Sequence, residues 1–70
     1  MNERERLVEA DEHIAWAKER IAQQQKLIED LAAGGHDPSE VMNVLHALQR
    51  ALRVFELHRE TILARPNRPD

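Results

Sequence analysis

Apolar residues in the first half of the chain recur at alternating steps of three and four residues, which is the spacing of a helical heptad repeat. One set, at a strict spacing of seven, is Leu7, Ile14, Ile21 and Ile28. The second set, three residues after each of these, is Ala10, Ala17, Gln24 and Leu31. The repeat predicts a first helix from about Glu3 to Ala33. The small residues of the second set would let a neighbouring helix approach closely.

The second half of the chain carries a stronger apolar seam. Steps of four and three residues connect Val41, Leu45, Leu48, Leu52, Phe55, Arg59 and Ile62. Only Arg59 among them is polar, so a second helix is predicted from Pro38 to about Ala64. We expect the two prolines that follow to end this helix and to leave residues 66–70 as a disordered tail.

Both glycines of the chain stand together between the two predicted helices, in the stretch AAGGHDPSE. Gly34 or Gly35 can adopt the left-handed backbone that closes a helix C-terminus. Asp37 is a preferred N-cap, and Pro38 suits the first helical position. Glu40 lies three residues after the cap and completes an arrangement like a capping box. A connection this short makes the helices antiparallel neighbours.

These elements predict an all-α fold, an antiparallel two-helix hairpin of the coiled-coil type. One domain spans residues 1–65, with a helix over 3–33, a turn over 34–37 and a helix over 38–64. Chain reversal at Gly35 pairs positions whose numbers add up to about 72 or 73.

In this register Arg59 lies opposite Ile14 and one turn from Asp11. Two interpretations are open for this polar residue in the seam. Arg59 could pair with Asp11 and specify the register, as single polar residues do in coiled coils. Alternatively, it could extend to water near the open end of the hairpin.

A second apolar stripe lies beside the seam of the second helix and comprises Val44, Ala47, Ala51, Val54 and Leu57. A two-helix hairpin has a single interface, so this stripe needs another cover. Chains of 70 residues have only marginal cores of their own. The stripe therefore predicts self-association into a two-fold, antiparallel four-helix bundle. Cover by a different protein is the alternative.

Composition narrows the location and the partners. The chain has no cysteine, 33% charged residues, 3% aromatic residues and a net charge of -3. It offers no disulfide or thiolate metal site, and a reducing compartment is expected. The start MNERERLVEADE is not a secretory signal, and no apolar run approaches a membrane span of about 18 residues. We expect a cytoplasmic protein without membrane contact, and neither half is basic enough to predict nucleic-acid binding.

The residues that could carry chemistry do not form a recognisable set. The four histidines are His13, His36, His46 and His58, and none has another histidine three or four residues away. Ser39 belongs to the cap, Thr61 is isolated, and a phosphate-binding loop would need a Lys and a Ser or Thr that the glycine pair lacks. The sequence predicts no enzyme, no cofactor, no metal and no small-molecule substrate.

Trp16 is the only tryptophan and lies among charged residues on the helical wheel. Because tryptophan is enriched at binding hot spots, Trp16 with Glu12 and Arg20 is a candidate contact for a partner protein. Packing in the dimer, or over neighbouring aliphatic stems, is the other interpretation.

The stretch ERIAQQQKLIEDLAAGGHD, followed by LHALQRAL and HRETIL, resembles the small, functionally uncharacterised helical-hairpin proteins of soil alphaproteobacteria. In those proteins an R-I-x-x-Q-x-x-L-I-like helix runs into a G-H-D turn, and a Leu-rich second helix ends near H-R-x-x-I. The matching positions are Arg20, Ile21, Gln24, Leu27, Ile28, Gly35, His36, Asp37, His58, Arg59 and Ile62. The resemblance covers about residues 13–63 and implies a helical hairpin, without a reaction or a ligand.

The function predicted from these patterns is a non-enzymatic helical module that forms a homodimer and binds or scaffolds another, unknown protein. The alternative is a small nucleic-acid-associated regulator that uses the arginines of the second half. These are Arg50, Arg53, Arg59, Arg65 and Arg68. Acidic Glu56 and Glu60 follow the first two, and no aromatic residue interleaves with them, which favours the first function.

Overall fold

Two α-helices packed side by side make up the computed structural model, which describes residues 2–64. Helix α1 is Glu3–Ala33 and helix α2 is Ser39–Ala64, within a residue of the predicted bounds. No strand occurs in the described range. The prediction of an all-helical, two-helix hairpin is confirmed, while the predicted tail at 66–70 lies outside the described residues.

The helices meet along the predicted seams. In α1 the residues that are not fully exposed are those of the heptad repeat, namely Leu7, Ala10, Ile14, Ala17, Ile21, Gln24, Ile28 and Leu31. Ala10 is 2% exposed and Ala17 is 0% exposed, so the small residues of α1 are its most buried positions. In α2 the corresponding set is Val41, Leu45, Leu48, Leu52, Phe55, Arg59 and Ile62, with Ala51 at its edge. Small residues in α1 facing large ones in α2 are what close packing favours.

This core is thin. Among the described residues the buried ones are only Ala10, Ala17, Leu48 and Ile62, and no large side chain is fully buried. Eight large apolar side chains of residues 2–64 are at least 40% exposed. The hairpin therefore leaves a large apolar area in contact with water.

Helix α1 ends in a Schellman motif. The backbone N–H of His36 donates to the carbonyl of Leu31 at 2.8 Å, and that of Gly35 donates to Ala32 at 3.1 Å. This bond pair requires a left-handed residue after the last helical position, and Gly35 supplies it with φ of +78°. Gly34 has φ of -84°. Of the two glycines that the sequence left open, Gly35 is the one that reverses the chain.

Gly34 lies close to the side chain of His36. A Cβ built on Gly34 would lie 3.1 Å from Cδ2 of His36 and 3.5 Å from the carbonyl oxygen of Asp30. The imidazole therefore folds back over the end of α1. His36, which had no role in the sequence analysis, closes the motif with its backbone and covers Gly34 with its ring.

Asp37 caps the start of α2. Its Oδ1 accepts hydrogen bonds from the backbone N–H of Ser39 at 3.0 Å and from the Ser39 hydroxyl at 2.6 Å. The N–H of Met42 donates to the carbonyl of Pro38 at 2.9 Å, so helical bonding begins at Pro38. The capping-box bond expected between Glu40 and Asp37 does not occur in residues 2–64, and the Asp37 carboxylate accepts from the N–H and the hydroxyl of Ser39.

The first helix has a cap that the sequence analysis missed. Oδ1 of Asn2 accepts a hydrogen bond from the N–H of Glu5 at 2.8 Å, and the N–H of Arg6 donates to the Asn2 carbonyl at 3.1 Å. An Asn three residues before a Glu is a helix-start signature, so the pattern was available in the sequence.

Arg59 forms an ion pair with Asp11, which is the first of the two interpretations given above for this residue. Nε of Arg59 donates to Oδ1 of Asp11 at 2.6 Å. Their side chains remain 41% and 57% exposed, so water screens the pair. Exposed pairs of this kind contribute only about 0.2–1 kcal/mol. Their residue numbers add up to 70, close to the predicted register.

Replacing Gly35 with Ala should lower the free energy of unfolding by about 1–2 kcal/mol, the cost of a Cβ in the left-handed region. Nothing lies within 4 Å of a Cβ built there, so the loss would be conformational rather than steric. Urea unfolding followed by circular dichroism measures it. Gly35→Asn is the matched control, because Asn tolerates this backbone better. An Asn variant as unstable as the Ala variant would contradict the assignment.

Arg59→Leu should leave the free energy of unfolding nearly unchanged or raise it. The variant loses a screened ion pair, but it completes the apolar seam. Asp11→Asn, which removes the pair and leaves the seam intact, should cost about 0.2–1 kcal/mol. Thermal and urea unfolding of both variants test this. A loss above about 2 kcal/mol for Arg59→Leu would mean that the pair holds the register after all.

The pKa of Asp37 is lowered from its ordinary value of 3.8, first by the Ser39 hydroxyl and then by the Ser39 N–H. Folded Asp37 binds a proton less readily than unfolded Asp37. Its carboxylate therefore stabilises the fold at pH values above 3.8, and the contribution is lost as the pH falls through the lower folded-state pKa.

Asp37→Asn keeps a capping oxygen but removes the charge. The Tm of the wild type should therefore exceed that of the variant at about pH 7, and the two should converge below about pH 3. In a Ser39→Ala background the pH-dependent part of the difference should shrink, because the hydroxyl is the main cause of the shift. A Tm difference that is the same at both pH values would refute this account.

Candidate functional site

An open groove runs along one side of the hairpin, beside the ion pair. It is lined by Asp11, Ile14, Lys18, Glu56, Arg59 and Glu60. We call this the charged side and define it by its four exposed charged residues, Asp11, Lys18, Glu56 and Glu60. Its charges are of both signs, and its one pair of opposite charges in hydrogen-bond contact is Arg59 with Asp11.

The residues that line the groove show which surfaces of the two helices lie on the same side of the hairpin. Lys18 and Glu56 each directly follow a seam residue, and they lie on the same side of the hairpin. At about 100° per residue, the residues that directly precede a seam residue project to the other side. Trp16 and Val54 each directly precede one, so they share the side opposite the groove.

That opposite side carries four of the eight large apolar residues that are exposed in residues 2–64, and we name its apolar part the tryptophan side. It comprises Trp16, Leu27, Val44, Ala47, Ala51 and Val54. The exposed fractions of its large members are 61% for Val54, 52% for Trp16, 44% for Val44 and 42% for Leu27. Trp16 of the predicted partner contact therefore lies on the same surface as Val44, Ala47, Ala51 and Val54 of the predicted self-association stripe.

Two members of the predicted stripe are placed differently from the rest. Ala51 is half-buried at the edge of the seam. Leu57 is exposed, but it neither directly precedes nor follows a seam residue, so it lies on the outer surface of α2. The prediction that Leu57 associates together with Val44 and Val54 stays a prediction.

The other two residues of the predicted partner contact flank Trp16. Glu12 and Arg20 each lie one helical turn from it and are exposed. Arg20 directly precedes Ile21 and so belongs to the tryptophan side, while Glu12 lies on the outer surface of α1. The three side chains can be reached together from the outer edge of that side.

The histidines have separate surroundings. The His13 ring lies 5.2 Å from the Phe55 ring at 31°, so it covers a half-buried seam residue from the tryptophan side. This contact was missed, although His13 directly precedes Ile14 and the wheel places it there. His46 and His58 are exposed. Within residues 2–64 no three His, Asp or Glu side chains are grouped as metal ligands would be.

The arginines of the alternative function are not gathered into one patch by the described part of the chain. Arg50 and Arg53 are exposed, and Arg59 is bound to Asp11. Arg65 and Arg68 lie outside the described residues. Neither α1 nor α2 has the length and apolar character that crossing a membrane requires.

Comparison with known proteins adds no assignment to this geometry. The chain matches no protein-family model, no curated protein and no solved structure at a significant level. The resemblance to helical-hairpin proteins of soil alphaproteobacteria therefore stays a prediction, and the functional argument rests on the residues of the two sides.

Proposed function

We propose that this hairpin is a non-enzymatic protein–protein interaction module that acts as a homodimer joined through the tryptophan side. The observation that carries the proposal is the exposure of Trp16, Leu27, Val44 and Val54 on one surface of a hairpin with a thin core. Apolar surface of this kind gains about 25 cal/mol per Å² when it is removed from water. A second copy of the chain is the simplest cover, because two-fold homo-oligomers are the commonest assemblies.

The absence of catalysis is part of the proposal and is supported by how the hydroxyl groups are used. The Ser39 hydroxyl donates to Asp37 at 2.6 Å, and the Thr61 hydroxyl donates to the carbonyl of Leu57 at 2.9 Å. Both serve local backbone structure, and neither is paired with a histidine that could act as its base.

The cellular setting and the kinship of the module belong to the same proposal. A chain without cysteine suits the reducing cytoplasm, where dimerisation rather than disulfides would supply stability. The G-H-D turn of the soil alphaproteobacterial hairpin proteins corresponds to Gly35, His36 and Asp37, whose contacts in this chain close α1 and start α2.

Val54→Glu should weaken the dimer at least tenfold, because it places a charge at the most exposed apolar position of the tryptophan side. Leu63→Glu is the matched control, since Leu63 is 53% exposed but directly follows a seam residue on the charged side. Sedimentation equilibrium gives the dissociation constants, and circular dichroism verifies that both variants remain helical.

A wild-type chain that sediments as an 8.1 kDa monomer at micromolar concentration would refute the proposal. Equal weakening by Leu63→Glu would show that the dimer uses another surface.

A further inference from the structure

Two arrangements can join two hairpins through the tryptophan side by a two-fold axis. We call the position of a residue along the helix direction its height. An axis parallel to the helices keeps every residue at its own height, so that α1 packs on the partner's α2 and both turns lie at the same end. An axis across the helices inverts the heights, so that α1 packs on α1, α2 packs on α2, and the turns lie at opposite ends. This question rests on the proposed homodimer.

The relative heights of residues along one hairpin follow from the two observed side-chain contacts between the helices. Asp11 contacts Arg59 and His13 contacts Phe55, pairs whose numbers add up to 70 and 68. Trp16 and Val54 are therefore at about the same height, and so are Leu27 and Val44. The apolar residues of the tryptophan side form two levels, one near the turn and one near the middle of the hairpin. Arg20, Gln23, Ala47 and Ala51 lie between them.

The two apolar levels can be matched in both arrangements, so they do not decide between them. With the turns at the same end, Trp16 would face the partner's Val54. With the turns opposed about an axis midway between the levels, Trp16 would face the partner's Leu27, and Val44 would face the partner's Val54. One such axis, crossing α1 beside Ile21 and α2 at Gln49, serves both helices at once.

The charged residues that bound the tryptophan side do decide. Asp30 and Glu40 each directly precede a seam residue near the turn, are exposed, and have numbers that add up to 70. With the turns at the same end, each Asp30 would face the partner's Glu40, and two like charges would be brought together at each of two places. With the turns opposed, Asp30 would face the partner's His13, and Glu40 would face the partner's His58.

The middle of the interface also suits the opposed arrangement. Ala47 would face the partner's Ala51, which lets the two α2 helices approach closely. Arg20 would face the partner's Gln23, a neutral hydrogen-bonding side chain.

The area is adequate for a stable dimer. Residues on about 24 positions of α1 would overlap with the partner, a length of roughly 35 Å, across a side two helices or roughly 20 Å wide. That amounts to about 700 Å² per copy and about 1,400 Å² in total, within the range of specific interfaces.

We infer that two copies pack through their tryptophan sides with the turns at opposite ends. In this dimer Trp16 of each copy packs against the partner's Leu27, and Asp30 of each copy lies beside the partner's His13. Trp16 is then a contact between copies of this chain. The interface is the same one that the proposed function requires, and the inference adds its symmetry and its contacts.

Distances between spin labels test the symmetry, because the chain has no cysteine of its own. Ala33→Cys and Glu19→Cys both place a label on the exposed outer surface of α1, away from the interface. With the turns opposed, the labels at 33 should be about 40 Å apart and those at 19, near the axis, about 20–25 Å. A dimer in which both distances are about 20–25 Å would have its turns at the same end and would overturn the inference, while the proposed function would stand.

Asp30→Lys tests the charges independently. With the turns opposed, the variant would lose the hydrogen bond that Asp30 can accept from the partner's His13, so the dimer should weaken several-fold. With the turns at the same end, Lys would face the partner's Glu40, and the dimer should tighten. Glu29→Lys, on the charged side, is the matched control and should leave the dissociation constant unchanged. Tightening by Asp30→Lys would refute the inference, whereas a monomeric wild type would refute the proposed function and the inference together.

Discussion

The left-handed backbone of Gly35 determines where the chain reverses, and the register of the two helices follows from that position. Because the Schellman motif uses the carbonyls of Leu31 and Ala32, α1 ends within one residue of Gly34. Asp37 then starts α2 almost at once. The five residues of connection, 34–38, leave no freedom for the helices to separate, so they must lie antiparallel and in contact.

Antiparallel contact has a second consequence, which concerns the exposed surface. The residues that precede the seam in both helices come to the same side, and the residues that follow it come to the other side. The groove lined by charges of both signs, including Lys18 and Glu56, lies on one side, and the exposed Trp16 and Val54 lie on the other. The hairpin thus has two different sides although each helix, taken alone, has only an apolar stripe and scattered charges.

Much of the fold could be predicted because heptad spacing and turn residues are local patterns. The seam positions, the helix bounds and the reversal at the glycine pair follow from them. The choice of Gly35 over Gly34 could not be predicted, because either could be left-handed until the hydrogen bonds of Leu31 and Ala32 are known. The hydrogen bonds that Asp37 accepts from Ser39 could not be predicted for a similar reason, because they depend on how the chain turns between Gly35 and Ser39.

The candidate site was harder to predict than the fold. The sequence patterns were read along one helix at a time, which placed Val44 and Val54 in one set and Trp16 in another. The side that these residues share is formed by both helices together, so neither helix alone reveals it. No local pattern states what covers an apolar surface, so the sequence specifies the surface and not its partner.

A shared surface makes self-association and binding of another protein through Trp16 mutually exclusive. If a second copy covers the tryptophan side, Trp16 is buried in the dimer and cannot also contact a different protein. Such a protein would then have to bind the surfaces that a dimer leaves open. Those are the charged side, where Leu63 is exposed among residues such as Glu60, and the outer surface of α2, where Leu57 is exposed. Dimerisation therefore decides which residues remain for any further interaction, and the assembly has to be known before a partner contact can be assigned to any residue of this chain.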